Sequence, residues 1–90
     1  GTPYSARRIG VSGMVIDLTQ MKEGERGRVV DIQGGWGLLR KLEALGIRLG
    51  TEIVKVSSQL MRGPIIIRVG NTQVAIGFGM ARRIIVEQKK

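Results

Sequence analysis

From Met14 onward, short apolar stretches alternate with glycine-rich punctuation, and fourteen of the 90 residues are glycine. Turn signals at such short, fairly regular spacing are the mark of a small all-β barrel or sandwich. No apolar run exceeds three residues, as at Ile65–Ile67, whereas a helix spanning a bilayer needs ~20. The length allows one domain with one compact core.

Alternation predicts strands near Val15–Asp17, Gly27–Gln33, Glu52–Ser58, Pro64–Val69, Gln73–Phe78 and Ile84–Glu87. In the fourth, Ile65, Ile67 and Val69 share one face, and Ile66 and Arg68 the other; Val74, Ile76 and Phe78 point inward on the next. Gly70-Asn71 between them is a two-residue hairpin signal, because both residue types tolerate the positive φ such a turn needs. At Val29-Val30 and at Ile53-Val54 adjacent apolar residues interrupt the alternation, which predicts a bulge or burial on both faces. One segment, Gly37–Leu45, is helical, with Leu38, Leu42 and Leu45 on one face and Arg40, Lys41 and Glu43 in water. Gly46 stops it as a left-handed residue, and Ile47 folds back on Leu42. Shorter turns are expected over Asp17–Lys22 and Met80–Arg83. The expected fold is a small SH3-like β-barrel of five to six strands with one or two short helices, spanning residues 14–88. Gly1–Gly13, which carries no apolar periodicity, is expected to be a flexible N-terminal extension, with Met14 a candidate natural start.

There is no cysteine and no histidine. Disulfides, thiolate or imidazole metal ligands and imidazole-activated nucleophiles are thereby excluded. The seven carboxylates are scattered, so no catalytic residue, metal ligand or cofactor is assigned. Fifteen Lys and Arg against seven Asp and Glu give +8, spread along the chain. A basic surface calls for an anionic partner without naming it. Only Tyr4, Trp36 and Phe78 are aromatic, too few for a protein that stacks single-stranded bases on exposed rings. Gly34-Gly35-Trp36-Gly37 matches neither a dinucleotide fingerprint nor a phosphate loop and reads as a strand-to-helix turn. The candidate partner-binding residues are Leu60 and Met61, apolar in a loop before a strand, with Arg62, Arg40, Lys41 and Arg48 as a basic rim.

The order of these features resembles the FeoA family. The resemblance rests on Leu18, Met21, Gly24, Gly27, Val29 and Ile32; on Leu42-x-x-Leu45-Gly46-Ile47-x-x-Gly50; and on Ile53, Val56 and Gly63-Pro64-Ile65. It continues through Val69-Gly70, Val74-Ala75-Ile76-Gly77 and Ala81-x-x-Ile84-x-Val86. It implies an SH3-like barrel and a non-enzymatic cytoplasmic accessory of ferrous iron uptake. The implied partner is the FeoB-type membrane transporter, through its cytosolic GTP-binding domain, so that membrane contact is peripheral and runs through the partner only. Nucleic acid is not expected, although a nucleic-acid-binding small barrel is the alternative reading. A weak homo-oligomer, pairing outward Ile66 and Ile85 across a strand edge, is a third.

Overall fold

The computed structural model describes residues 13–57 and 63–88. Six strands and two short helices run in the order β1 (Met14–Asp17), a 3-10 turn (Leu18–Gln20), β2 (Arg26–Ile32), α1 (Trp36–Ala44) and β3 (Glu52–Ser57). β4 (Ile65–Val69), β5 (Thr72–Ile76), α2 (Phe78–Ala81) and β6 (Ile84–Gln88) complete it. All strand pairs are antiparallel, in the spatial order β1-β6-β2-β3-β4-β5. Among the described residues β1 and β5 share no ladder, so the sheet wraps one core and leaves these two strands as its edges.

That core takes Val29 from β2, Ile53 from β3, Ile65 and Ile67 from β4, Ile76 from β5, and Ile84 and Val86 from β6. Leu18, Leu42 and Ala81 from the helical segments, and Ile47 just after α1, close it. Each buried isoleucine or leucine is worth about 1.5–3 kcal/mol relative to an exposed one. Alternation follows the expectation in β4, where Ile65 and Ile67 are buried and Arg68 is exposed. The two-residue hairpin forms as read, with Val69 opposite Thr72 and Gly70 at φ +61°.

The register of β2 against β6 shifts between Val29 and Asp31, so Val30 is the bulged residue. In β3 the shift comes later, between Lys55 and Ser57. At Ile53-Val54 the outcome is the two-sided one: Ile53 is fully buried and Val54 half-buried on the opposite face. The fifth strand is shorter than expected. It ends at Ile76; Gly77 begins α2, and Phe78 is a helical residue that still packs against the core.

α1 ends as its sequence dictates. Gly46 sits at φ +88°, its N–H donates to the Glu43 carbonyl at 2.9 Å, and the Ile47 N–H donates to the Leu42 carbonyl at 2.9 Å. This is the paired hydrogen bonding of a Schellman ending, and Ile47 and Leu42 both lie in the core.

Candidate partner-binding surface

Burying Leu42 and half-burying Leu38 and Leu45 turns the opposite side of α1 to water, so Trp36, Arg40, Lys41 and Glu43 are all exposed. Arg40 stands one turn from Trp36, on the same stripe. Lys41, in the last turn, complements the carbonyl end of the helix dipole. Arg48 follows on a turn tied to β2: the Gly50 N–H donates to the Val29 carbonyl at 2.7 Å, and the Val29 N–H to that of Thr51 at 2.8 Å. This places Arg48, with Leu49 63 % exposed beside it, on a firmly held ledge. Three of the expected residues, Arg40, Lys41 and Arg48, are therefore exposed cations on α1 and the turn after it. Leu60, Met61 and Arg62 lie outside the described residues.

Trp36 was not among the expected contact residues, yet at 77 % it is the most exposed of the large hydrophobic residues described. It opens α1 directly after Gly35, whose extended φ of −91° makes it the N-cap, with no side-chain hydrogen bond. The turn before it meets the corner between α2 and β6. There the Gln33 N–H donates to the Arg83 carbonyl at 2.8 Å, and an Arg83 guanidinium nitrogen lies 3.7 Å from where a Gly34 Cβ would be. A cleft of about 360 Å³ between them is lined by Asp17, Gln33, Gly79, Arg82 and Arg83. Asp17 serves as the cap of the 3-10 turn, accepting from the Thr19 N–H at 2.8 Å and from the Thr19 hydroxyl.

The outer face of β2, β3 and β6 carries a second cleft, about 570 Å³, where Arg26, Arg28, Glu25, Glu52 and Glu87 meet. Here the charges are matched. Glu87, its side chain only 2 % exposed, pairs with Arg28 at 2.8 Å and accepts from the Gly13 N–H at 3.0 Å. Arg26 meets Glu52 at 3.6 Å in water. Hydrogen bonds from the Lys22 N–H and the Gln88 amide hold the Glu25 carboxyl below its ordinary pKa. A general acid at neutral pH needs the opposite shift. Among the described residues no group of three carboxylates is placed to hold a metal ion.

Two buried ionisable groups escaped the sequence reading. Glu87, expected as solvated charge, is one. The other is Lys55, 1 % exposed on β3, whose ammonium donates to the carbonyls of Leu18 at 3.3 Å, Thr19 at 3.2 Å and Met21 at 2.5 Å. Desolvation pulls its pKa below the ordinary lysine value, opposed by the charges of Asp17, Glu25 and Glu23. Strict alternation places Lys55 on the same face as Ile53, the one signal that could have found it.

Comparison with known proteins matches residues 16–88 to the FeoA domain. A relative from Methanocaldococcus jannaschii, named "Putative Fe(2+) transport protein A", is 38 % identical over 70 residues, which is 78 % of this chain and 83 % of that protein. A crystal structure of an iron uptake regulatory protein (FeoA) superposes with a TM-score of 0.76 at 41 % identity, covering 83 % of this chain and 97 % of that one. The FeoA-like protein of Clostridium acetobutylicum gives 0.75 at 26 % identity, over 86 % and 90 % of the two chains. A manganese-dependent transcriptional repressor gives 0.78 at 22 % identity over 43 % of its own length, a likeness of fold alone.

Proposed function

The chain belongs to the FeoA family of ferrous iron transport accessory proteins, and from that premise we propose that it docks on the cytosolic GTP-binding region of a FeoB-type membrane transporter and modulates iron transport. The observation that carries this reading is the sorting of charge. In the cleft on the outer face of β2, β3 and β6 Arg26 and Arg28 are paired with carboxylates, whereas Arg40, Lys41 and Arg48, clustered on α1 and the turn after it, are exposed and form no ion pair with any described residue. Unneutralised cations on a rigid helix and its anchored turn favour approach to an acidic protein face. Leu49 supplies apolar contact there, and Leu60, Met61 and Arg62 stay candidate contact residues on their sequence alone.

The role is recognition, and it is carried out in the cytoplasm. No described helix is long and apolar enough to cross a membrane, and in this reading membrane contact runs through the partner. Titration of the transporter's purified cytosolic domain with this chain tests the proposal. Saturable binding that weakens as salt rises, and weakens further in an Arg40→Glu, Arg48→Glu variant, is the expected result. A folded chain that fails to bind even at low salt rejects it.

A further inference from the structure

The structure assigns a second, more specific role to the end of the barrel where α1 begins. We propose that Trp36, with Arg40 one turn along its helix and the corner carrying Arg82 and Arg83 packed against the turn before it, is the anchor of a site for an acidic segment of a protein partner. This deepens the docking reading and rests on it for the identity of the partner, but not for the chemistry of the site.

Three observations carry it. Trp36 is the chain's single tryptophan, and 77 % of it is exposed on a helix held by the core on its other side. A large aromatic left in water on a rigid element loses little freedom when bound, and tryptophan and arginine are the residues that dominate binding energy at protein interfaces. Second, the chain brings arginines to this end of the barrel from two separate places. Arg40 lies one turn along α1, while Arg82 and Arg83 arrive from the α2–β6 corner, held by the Gln33 to Arg83 backbone hydrogen bond of 2.8 Å. Third, none of these three arginines forms an ion pair with a described residue, and the carboxylate in the adjoining cleft, Asp17, is committed to capping the 3-10 turn.

Charge complementarity therefore selects an anionic occupant. A protein segment fits better than a bilayer, because a lone exposed tryptophan offers a membrane little apolar area. It fits better than single-stranded nucleic acid, because among the described residues no second exposed ring is available to stack a further base. The partner's carboxylates would take the guanidinium forks in bidentate fashion, with an apolar contact on the indole.

The test uses the full chain, with Trp36 emission and calorimetric titration as readouts. The probes are the transporter's cytosolic domain, a hexaglutamate peptide, vesicles of mixed phosphatidylglycerol and phosphatidylcholine, and a short single-stranded RNA. Trp36→Ala and the pair Arg82→Glu, Arg83→Glu are compared with Arg26→Glu, Arg68→Glu, which changes net charge equally on the outer sheet face. Melting curves establish that each variant is folded, and exposed Trp36 makes Trp36→Ala the safest of them. The expected result is a Trp36 emission shift on adding the cytosolic domain, with affinity lost by about tenfold or more in both site variants and far less in the control pair. If the domain binds and the site variants match the control, this surface is wrong while docking stands. If the domain does not bind but hexaglutamate shifts Trp36 in an Arg82/Arg83-dependent way, the acidic-segment site stands and the transporter is the wrong partner. Silence from both probes, or tighter binding of vesicles or RNA at Trp36, overturns the proposal.

Discussion

Lys55 on β3 reaches through the core to the Met21 carbonyl, a bond between residues that the chain separates by 34 positions. With its bonds to Leu18 and Thr19, the ammonium holds the 3-10 turn against the sheet as an internal cation in a cage of carbonyls. A buried charge is tolerated here because the main chain supplies three acceptors.

Lys55→Ala removes both this cage contact and a buried aliphatic stem, and is expected to destabilise the fold by about 2–4 kcal/mol. Lys55→Met keeps the stem and is expected to recover about half of that loss. Urea unfolding measures both. In each variant, hydrogen exchange should rise first in the 3-10 turn, at the Met21 N–H that bonds back to Leu18. Equal costs for the two variants would show that only the charge matters.

The pH dependence of Lys55 has a definite sign. Its folded pKa lies below 10.5, so between the two values the unfolded chain binds the extra proton and stability rises with pH. The stabilisation is complete above 10.5 and is lost as pH falls through the lowered value. The gap in stability between wild type and Lys55→Met should therefore shift toward the wild type from neutral pH to pH 10.5, as measured by denaturant titration.

Arg28 and Arg26 lie two residues apart on one strand and should behave differently. Arg28→Ala removes the cation 2.8 Å from the buried carboxylate of Glu87 and should cost about 1–3 kcal/mol. Arg26→Ala breaks a pair whose side chains are 70 % and 64 % exposed, and should cost no more than about 0.5 kcal/mol. A double-mutant cycle for each pair separates these couplings from the loss of packing.

Gly27 and Gly46 are required for unlike reasons. A Cβ at Gly27 would sit 3.0 Å from Val86 Cβ and 3.2 Å from Met21 Sδ, so Gly27→Ala should cost about 1–3 kcal/mol through overpacking. A Cβ at Gly46 meets only Val69 at 3.6 Å, and Gly46→Ala should cost about 1–2 kcal/mol through its φ of +88°. An engineered Val86→Ala background removes the 3.0 Å contact with Val86 Cγ2 but keeps those with its Cβ and with Met21, so it should relieve the first penalty only in part and leave the second untouched.

Where local chemistry decides, the sequence was readable. Gly46 with Ile47, Gly70-Asn71 and the alternation of β4 each carry their own stop, turn or face, and the structure realises all three. Phe78 was misplaced because a strand and a short helix entered through glycine both let an aromatic ring reach the core. Lys55 and Glu87 were hidden for a different reason: their burial depends on partners far along the chain, and a charged residue between valines reads as the solvent side. Ile85, expected outward and free to pair across an edge, is 1 % exposed, so the self-association reading loses one of its two residues. Of the surface, the exposure of Arg40 and Lys41 was legible from helical phase, whereas the meeting of the Arg83 corner with the turn before Trp36 comes only once β2 and β6 are paired.

That pairing also governs how the molecule can be made. β6 lies between β1 and β2, so among the described strands β1 has no neighbour until β6 has been made. Such high contact order predicts slow folding limited by closure of the chain's longest loop. A nascent chain halted before Ile84 would hold Val15 and Ile16 with nothing to pair against. An unpaired apolar strand during synthesis is thus a consequence of strand order alone, independent of what the finished surface binds.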